Sequence, residues 1–143
     1  LPLWDKRDAT TEAAARSFLA AGTTQFQYTV GAKKAEAISP DNWTHDQALL
    51  DRPGTDAYQL DLLENYKTNV GLYDSWHAAF REHKPKTLII WGKNDPFFVP
   101  AGAEAFKRDL PQAKLAWLDA GHFVLDENTP QVAAEIKAMF AAK

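Results

Sequence analysis

Cysteine is absent from the 143 residues. That excludes disulfides, thiolate metal sites and cysteine nucleophiles, and it leaves a reducing cytoplasm as the default expectation for localisation. Surplus positive charge is also lacking: 16 Lys and Arg stand against 19 Asp and Glu, a net charge of −3. Nucleic-acid binding normally shows a basic face, so no nucleic-acid partner is expected. No apolar run approaches the ~20 residues a membrane helix needs, and no signal-peptide pattern opens the chain, so no membrane partner is expected either. Methionine occurs once, at Met139, and the chain opens Leu1-Pro2-Leu3-Trp4, which reads as a processed, cleaved or truncated polypeptide. Serine is scarce: Ser17, Ser39 and Ser75 are the three, and none has glycine at either neighbouring position. A nucleophile elbow needs small residues flanking the nucleophile, as in G-x-S-x-G, and no aspartate lies in such a setting either. No phosphate-binding glycine loop is present. His77 and His83 are six apart, not the i, i+4 of a helical zinc pair, so no metal site is expected.

What is present is an ordinary globular balance, 45% hydrophobic and 24% charged, in a chain long enough for one core. Residues 1–84 read as helices and loops without a convincing strand. Thr11 is placed to cap a helix through Leu19, with Ala14, Phe18 and Ala21 along its apolar side and Gly22 near its end. A short helical piece holds Phe26 and Tyr28. Ser39-Pro40-Asp41-Asn42 signals a helix start with Trp43 just inside, and Thr44 offers a second start, running to Leu50 before Pro53-Gly54. Tyr58, Leu62, Tyr66 and Val70 follow at four-residue steps. Leu72, Trp76 and Phe80 continue at helical spacing.

The texture changes at Pro85. Thr87-Leu88-Ile89-Ile90-Trp91 is a continuous apolar, β-branched run, which reads as a strand buried on both faces. Ala103, Phe106 and Leu110 mark a helix over residues 101–110 that Pro111 ends, and Lys114 to Leu118 is a second strand. Thr129-Pro130 opens a last helix over residues 129–142, with Val132, Ile136, Met139 and Phe140 as its buried stripe. The spacing predicts a β-α-β-α unit with parallel strands and a right-handed crossover after a helical region: residues 1–84 and 85–143.

Catalysis in parallel α/β sheets sits at the carboxyl ends of strands. Asp95 lies four residues past Trp91, and His122 four past Leu118. Either residue alone has a plain structural reading, since Asp95 sits in an Asn-Asp-Pro turn and His122 in a Gly-His-Phe loop. Their equivalent placement after adjacent strands points instead to an aspartate that holds an imidazole acting as general base.

Trp91-Gly92-Lys93-Asn94-Asp95-Pro96-Phe97-Phe98-Val99-Pro100 and Asp119-Ala120-Gly121-His122-Phe123 closely resemble the loops after the last two strands of α/β-hydrolases, with the haloalkane dehalogenase and epoxide hydrolase branch the nearest in texture. The order in that family is nucleophile, acid, histidine, so the resemblance implies that Asp95 is the acid and His122 the base. It covers residues 85–143 best. Phe26-Gln27-Tyr28-Thr29-Val30-Gly31 and Leu63-Glu64-Asn65-Tyr66-Lys67-Thr68-Asn69-Val70 resemble the family's helical cap more loosely. The resemblance thus implies a C-terminal part of an α/β-hydrolase fold: cap, then last two core strands. It implies hydrolysis of an ester, epoxide or carbon–halogen bond in a small apolar substrate, with no cofactor. Tyr28, Trp43, Tyr66 and Trp76 suit the wall of such a pocket, although each reads more readily as ordinary cap core. Tyr28 matches one of the two cap tyrosines that epoxide hydrolases place on the epoxide oxygen. The second usually sits in Asn-Trp-Tyr, and here Asn42-Trp43 is followed by Thr44. A strand at residues 87–91 without its neighbour invites another chain, so the expected partner is a missing N-terminal half or a second copy. A stable non-catalytic fragment or association module is the rival reading.

Overall fold

The computed structural model describes residues 1–141. It divides into two compact units: Leu1–Phe26 with Ser39–Ser75, and Gln27–Ile38 with the chain from Trp76 onward. These units cut across the expected ranges 1–84 and 85–143. The turn around Gly31 packs against the strand-end loops, and Phe80 packs on the core beneath the sheet.

The first unit is helical. It contains α1 (Pro2–Asp5), α2 (Ala9–Arg16), most of α3 (Ala21–Thr29), α4 (Pro40–Leu50), α5 (Thr55–Asn65) and α6 (Lys67–Val70). Leu3, Ala15 and Leu60 form its buried centre, with Leu63 against them. The cap of α2 is Asp8, not Thr11. Asp8 Oδ1 accepts from the Thr10 and Thr11 N–H groups at 3.0 and 3.1 Å, and Thr11 Oγ1 accepts the Asp8 N–H at 3.0 Å. This is a reciprocal capping box, which Thr11 joins from inside the helix. The buried position on α2 is Ala15, while Phe18 is exposed. Ser39 caps α4 as expected, and Thr44 lies within that helix rather than starting another. Of the four-residue series, Tyr58, Leu62 and Val70 fall on helices and Tyr66 caps the junction of α5 and α6, but all four face solvent, and Leu60 is the side chain that α5 buries. Periodicity identified the helix and not the side that is covered.

In the second unit α7 (Tyr73–His83, whose first residues belong to the first unit) precedes β1 (Leu88–Gly92), α8 (Pro100–Ala105), β2 (Lys114–Leu118) and α9 (Val124–Ala141). The strands pair in parallel, Leu88 with Lys114 through Gly92 with Leu118. Ile89, Ala103, Leu110 and Ala113 make the core, with Phe80, Trp91, Leu115 and Trp117 packed around it. Only Ile89 and Gly92 of β1 are buried, against the expectation of burial on both faces. Among the described residues β1 pairs with β2 alone, so its other edge is unpaired, and its faces are covered only in part.

The last helix begins earlier than expected. Its first turn starts at Val124, a break follows at Asn128 (φ −133°, ψ 33°), and helix resumes with Pro130 in the new first turn, where a missing N–H costs nothing. The end expected at Ala142 lies outside the described residues. Of the expected buried stripe only Val132 is buried; Ile136 and Phe140 are exposed. They flank the uncovered side of β1. No helix among the described residues is long and apolar enough to cross a membrane.

Asp109 ties α7 to the turn before β2, holding Arg81 through one carboxylate oxygen and His77 Nδ1 through the other. The Arg81 hydrogen bond, then that of His77, pulls the Asp109 carboxyl below its usual 3.8. A depressed carboxyl pKa adds stability that is present above the unfolded-state value and lost as pH falls through the folded value. Urea midpoints measured downward from about pH 6 should therefore fall more steeply below about pH 4 in the native chain than in Asp109→Asn. Parallel curves would show that the cluster contributes nothing.

Candidate active site

The loops after β1 and β2 are laid on each other by backbone. Lys93 N–H bonds Leu118 O at 2.9 Å, and Asn94 N–H bonds Ala120 O at 3.1 Å. The approach is so close that a Cβ on Gly92 would collide with the Gly121 and Ala120 carbonyl oxygens. A third strand of chain, the turn at Val30–Ala32, stacks on the same place. Gly31, at φ +81°, lies against the Asn94 carbonyl, and Gly121 lies against Val30 O. The left-handed φ and the absent Cβ both require glycine at position 31. Asn94 Nδ2 fastens the layers by donating to Gly31 O at 3.1 Å and Asp119 Oδ1 at 3.0 Å. Lys33 reaches Asp119 Oδ2 at 3.2 Å. These two partners, Asn94 foremost, hold the Asp119 carboxyl below its usual range.

This stack brings Asp95 and His122 together. The Asp95 carboxyl is buried, and its Oδ1 accepts the Phe97 and Phe98 N–H groups at 2.8 and 3.0 Å. Its Oδ2 stands 3.0 Å from His122 Nδ1. An ionised carboxylate only accepts, so the pair places the imidazole proton on Nδ1 and leaves a lone pair on Nε2. Three phenylalanines enclose the ring: Phe97, Phe98 and Phe123, each with its centroid 5.1 Å from that of the imidazole. Such aromatic contacts add about 1 kcal/mol each and restrict rotation. His122 stays one-fifth exposed and lines a trough of about 580 Å³, within the range of small-molecule sites. Leu88, Ile90, Val132, Ile136 and Met139 form much of its apolar wall. A histidine oriented through Nδ1 and partly exposed beside an apolar trough can act as a general base toward water or a hydroxyl.

The other candidates are spread out. Tyr28 is buried in the second unit, its ring stacked on Phe123 with centroids 3.9 Å apart and planes 5° from parallel. It thereby supports the residue next to His122. Trp76, on α7, is exposed. Trp43 and Tyr66 belong to the first unit. Trp43 is half-buried on α4, and Tyr66 is exposed, stacked on Trp4 and sharing a 3.1 Å hydrogen bond with Tyr73 Oη. Sequence reasoning missed Asn94 and the Val30–Ala32 turn. A signal did exist, because Gly31 and Gly121 stand within the quoted motifs. Among the described residues no group of three or more His, Cys, Asp or Glu could hold a metal ion.

No solved structure matches the chain. A protein of Saccharomyces cerevisiae named uncharacterized hydrolase YNR064C is 38% identical over 115 residues, which is 80% of this chain and 40% of the yeast protein. The chain thus spans well under half the length of this relative. The model of a family described as alpha/beta hydrolase fold matches residues 7–129, taking in β1, β2 and both strand-end loops. On that match, with a parallel strand pair carrying an Asp–His couple at its carboxyl end, the chain belongs to the α/β-hydrolase fold family.

Proposed function

We propose that this chain supplies the acid and base of a hydrolytic triad, Asp95 and His122, to an α/β-hydrolase of the haloalkane dehalogenase and epoxide hydrolase branch. The 3.0 Å contact between His122 Nδ1 and Asp95 Oδ2 at adjacent strand ends carries this reading. The nucleophile and oxyanion donors come from polypeptide outside these 143 residues, and residues 1–84 act as the cap. The substrate is small and apolar and contains an ester, epoxide or carbon–halogen bond, and no cofactor takes part. The nucleophile forms a covalent ester with the substrate as the scissile bond breaks: halide leaves a haloalkane, the ring oxygen of an epoxide stays on the product as a hydroxyl, and an alcohol leaves an ester. His122 Nε2 then takes a proton from water, whose oxygen attacks that ester, while the Asp95 carboxylate stabilises the imidazolium. The adduct then collapses, and His122 returns the proton to the departing oxygen, which frees the nucleophile and the product. The phenylalanines around His122, Phe97, Phe98 and Phe123, support an apolar substrate. Trp43, Tyr66 and Trp76 serve as pocket aromatics. Tyr28 is the cap tyrosine of this site, its ring packed on Phe123 beside His122. The test is a panel of ester, epoxide and haloalkane hydrolysis assays on the protein uniting this chain with its nucleophile, with His122→Ala as control. Hydrolysis that survives the substitution unchanged overturns the reading.

The open edge of β1 favours a second, compatible reading, association with another chain. A trough flanks β1 on each face, about 580 Å³ toward α9 and about 300 Å³ toward Phe80 and Phe106. Phe98, Leu125 and Phe140 are 61%, 62% and 77% exposed near it. An unpaired, apolar strand edge in a two-stranded sheet is a template for pairing. The partner is the missing N-terminal half or a second copy. Light scattering on the chain at micromolar concentration should give a mass above 16.0 kDa, or a complex when the complementary half is added. A well-behaved monomer that ignores that half would exclude association.

A further inference from the structure

Glu127 stands five residues beyond His122, outside the acid–histidine pair. Its two carboxylate oxygens accept backbone N–H groups from separate parts of the second unit: Oε1 from Gly121 at 2.7 Å and Oε2 from Lys33 at 3.1 Å. Gly121 directly precedes His122, and Lys33 follows the turn on which Gly121 is stacked. We propose that Glu127 is a positioning residue for His122, clamping the His122 loop to the Val30–Lys33 turn so that Nδ1 stays on Asp95 Oδ2. The proposal rests on the reading of Asp95 and His122 as acid and base.

The need for a clamp follows from the local chemistry. Gly121 has no side chain to interlock, and it meets Val30 O and Ala32 N by backbone alone. Close backbone packing limits approach but gives little direction, whereas a hydrogen bond to a charged acceptor is strong and directional. The break at Asn128 makes the placement of Glu127 possible. It separates the turn Val124–Glu127 from the rest of α9, so the carboxylate can reach back to the loop it follows instead of lying on a continuous helix face. A carboxylate is also the group that serves two donors at once. The amide of glutamine offers one oxygen and would set its NH₂ against the other N–H.

The test reads the hydrogen-bonded His122 Nδ1–H by NMR in the 143-residue chain. Glu127→Ala should make that proton exchange with water roughly tenfold faster, the effect of losing a hydrogen bond to a charged acceptor. Glu127→Gln, which keeps one of the two bonds, should show a smaller change in the same direction and carries the test if the alanine variant does not fold. A merely structural role would lower the unfolding midpoint and leave the Nδ1–H signal of the folded protein unmoved. That result overturns the proposal. Asp95→Asn separates it from the reading beneath it. If the signal is lost in Asp95→Asn but unchanged in both Glu127 variants, the pair stands and the clamp fails; if Asp95→Asn leaves it unchanged, the pair itself fails.

Discussion

In the protein that unites this chain with its nucleophile, Asp95→Asn is expected to lower kcat by roughly 10⁴ and His122→Ala by about 10⁶. The second figure is the ordinary cost of removing a triad base. The first follows from how Asp95 is held. Its Oδ1 accepts two backbone N–H groups, from Phe97 and Phe98, so that position demands an acceptor. An asparagine must put its carbonyl oxygen there, which turns its NH₂ toward His122 Nδ1. The imidazole then accepts at Nδ1 and carries its proton on Nε2, the tautomer that cannot act as base. The substitution is almost isosteric and keeps both turn hydrogen bonds, so stability should change little while turnover collapses. The tautomer can be read on the chain by itself from the imidazole nitrogen shifts. An asparagine variant that keeps its proton on Nδ1 and its kcat would refute the assignment of roles.

The strands and the two loops were legible because their signals are local. A β-branched run bounded by Pro85 and Gly92 has few readings, and β1 differs from the expected span by one residue. β2 matches it. The pair Asp95 and His122 could be placed because parallel strands deliver their loops side by side. Most of what could not be read depends on chain far away in sequence, and the cap of α2 is the local exception. Thr11 reads as a cap because threonine caps helices, yet Asp8 three residues earlier makes the reciprocal bond. The stripes at Tyr58–Val70 and Val132–Phe140 have correct periods, but a period says nothing of which side a neighbour covers. The continuous apolar run of β1 implies two covered faces, and the described residues cover them only in part. Asn94 and Glu127 act 63 and 94 residues away, on Gly31 and Lys33. No window of sequence contains such pairs.

Gly92→Ala is expected to be strongly damaging for a single-methyl change, costing about 3–4 kcal/mol of stability. A Cβ at this position points at the carbonyl oxygens of Gly121 and Ala120, which are backbone and cannot swing aside as a flexible side chain does. Relief requires the two strand-end loops to separate. Separation strains the bonds from Lys93 N–H to Leu118 O and from Asn94 N–H to Ala120 O, and it pulls Asp95 from His122. Overpacking in a tight site costs about 1–3 kcal/mol, and each weakened backbone hydrogen bond adds roughly 1 kcal/mol. Gly102→Ala is the matched control. It lies in α8, where the new methyl meets only Trp91 ring carbons at ordinary contact distances of 3.6 and 3.9 Å, so it should stabilise by about 0.5–1 kcal/mol through helix propensity. Urea unfolding of the two variants side by side should move the midpoints in opposite directions. The Gly92 variant should also lose the His122 Nδ1–H signal, because the same loop separation that destabilises the fold breaks the pair. If its midpoint equals that of the native chain and the signal persists, the loops are not in the backbone contact described, and the close approach of Asp95 and His122 needs another cause.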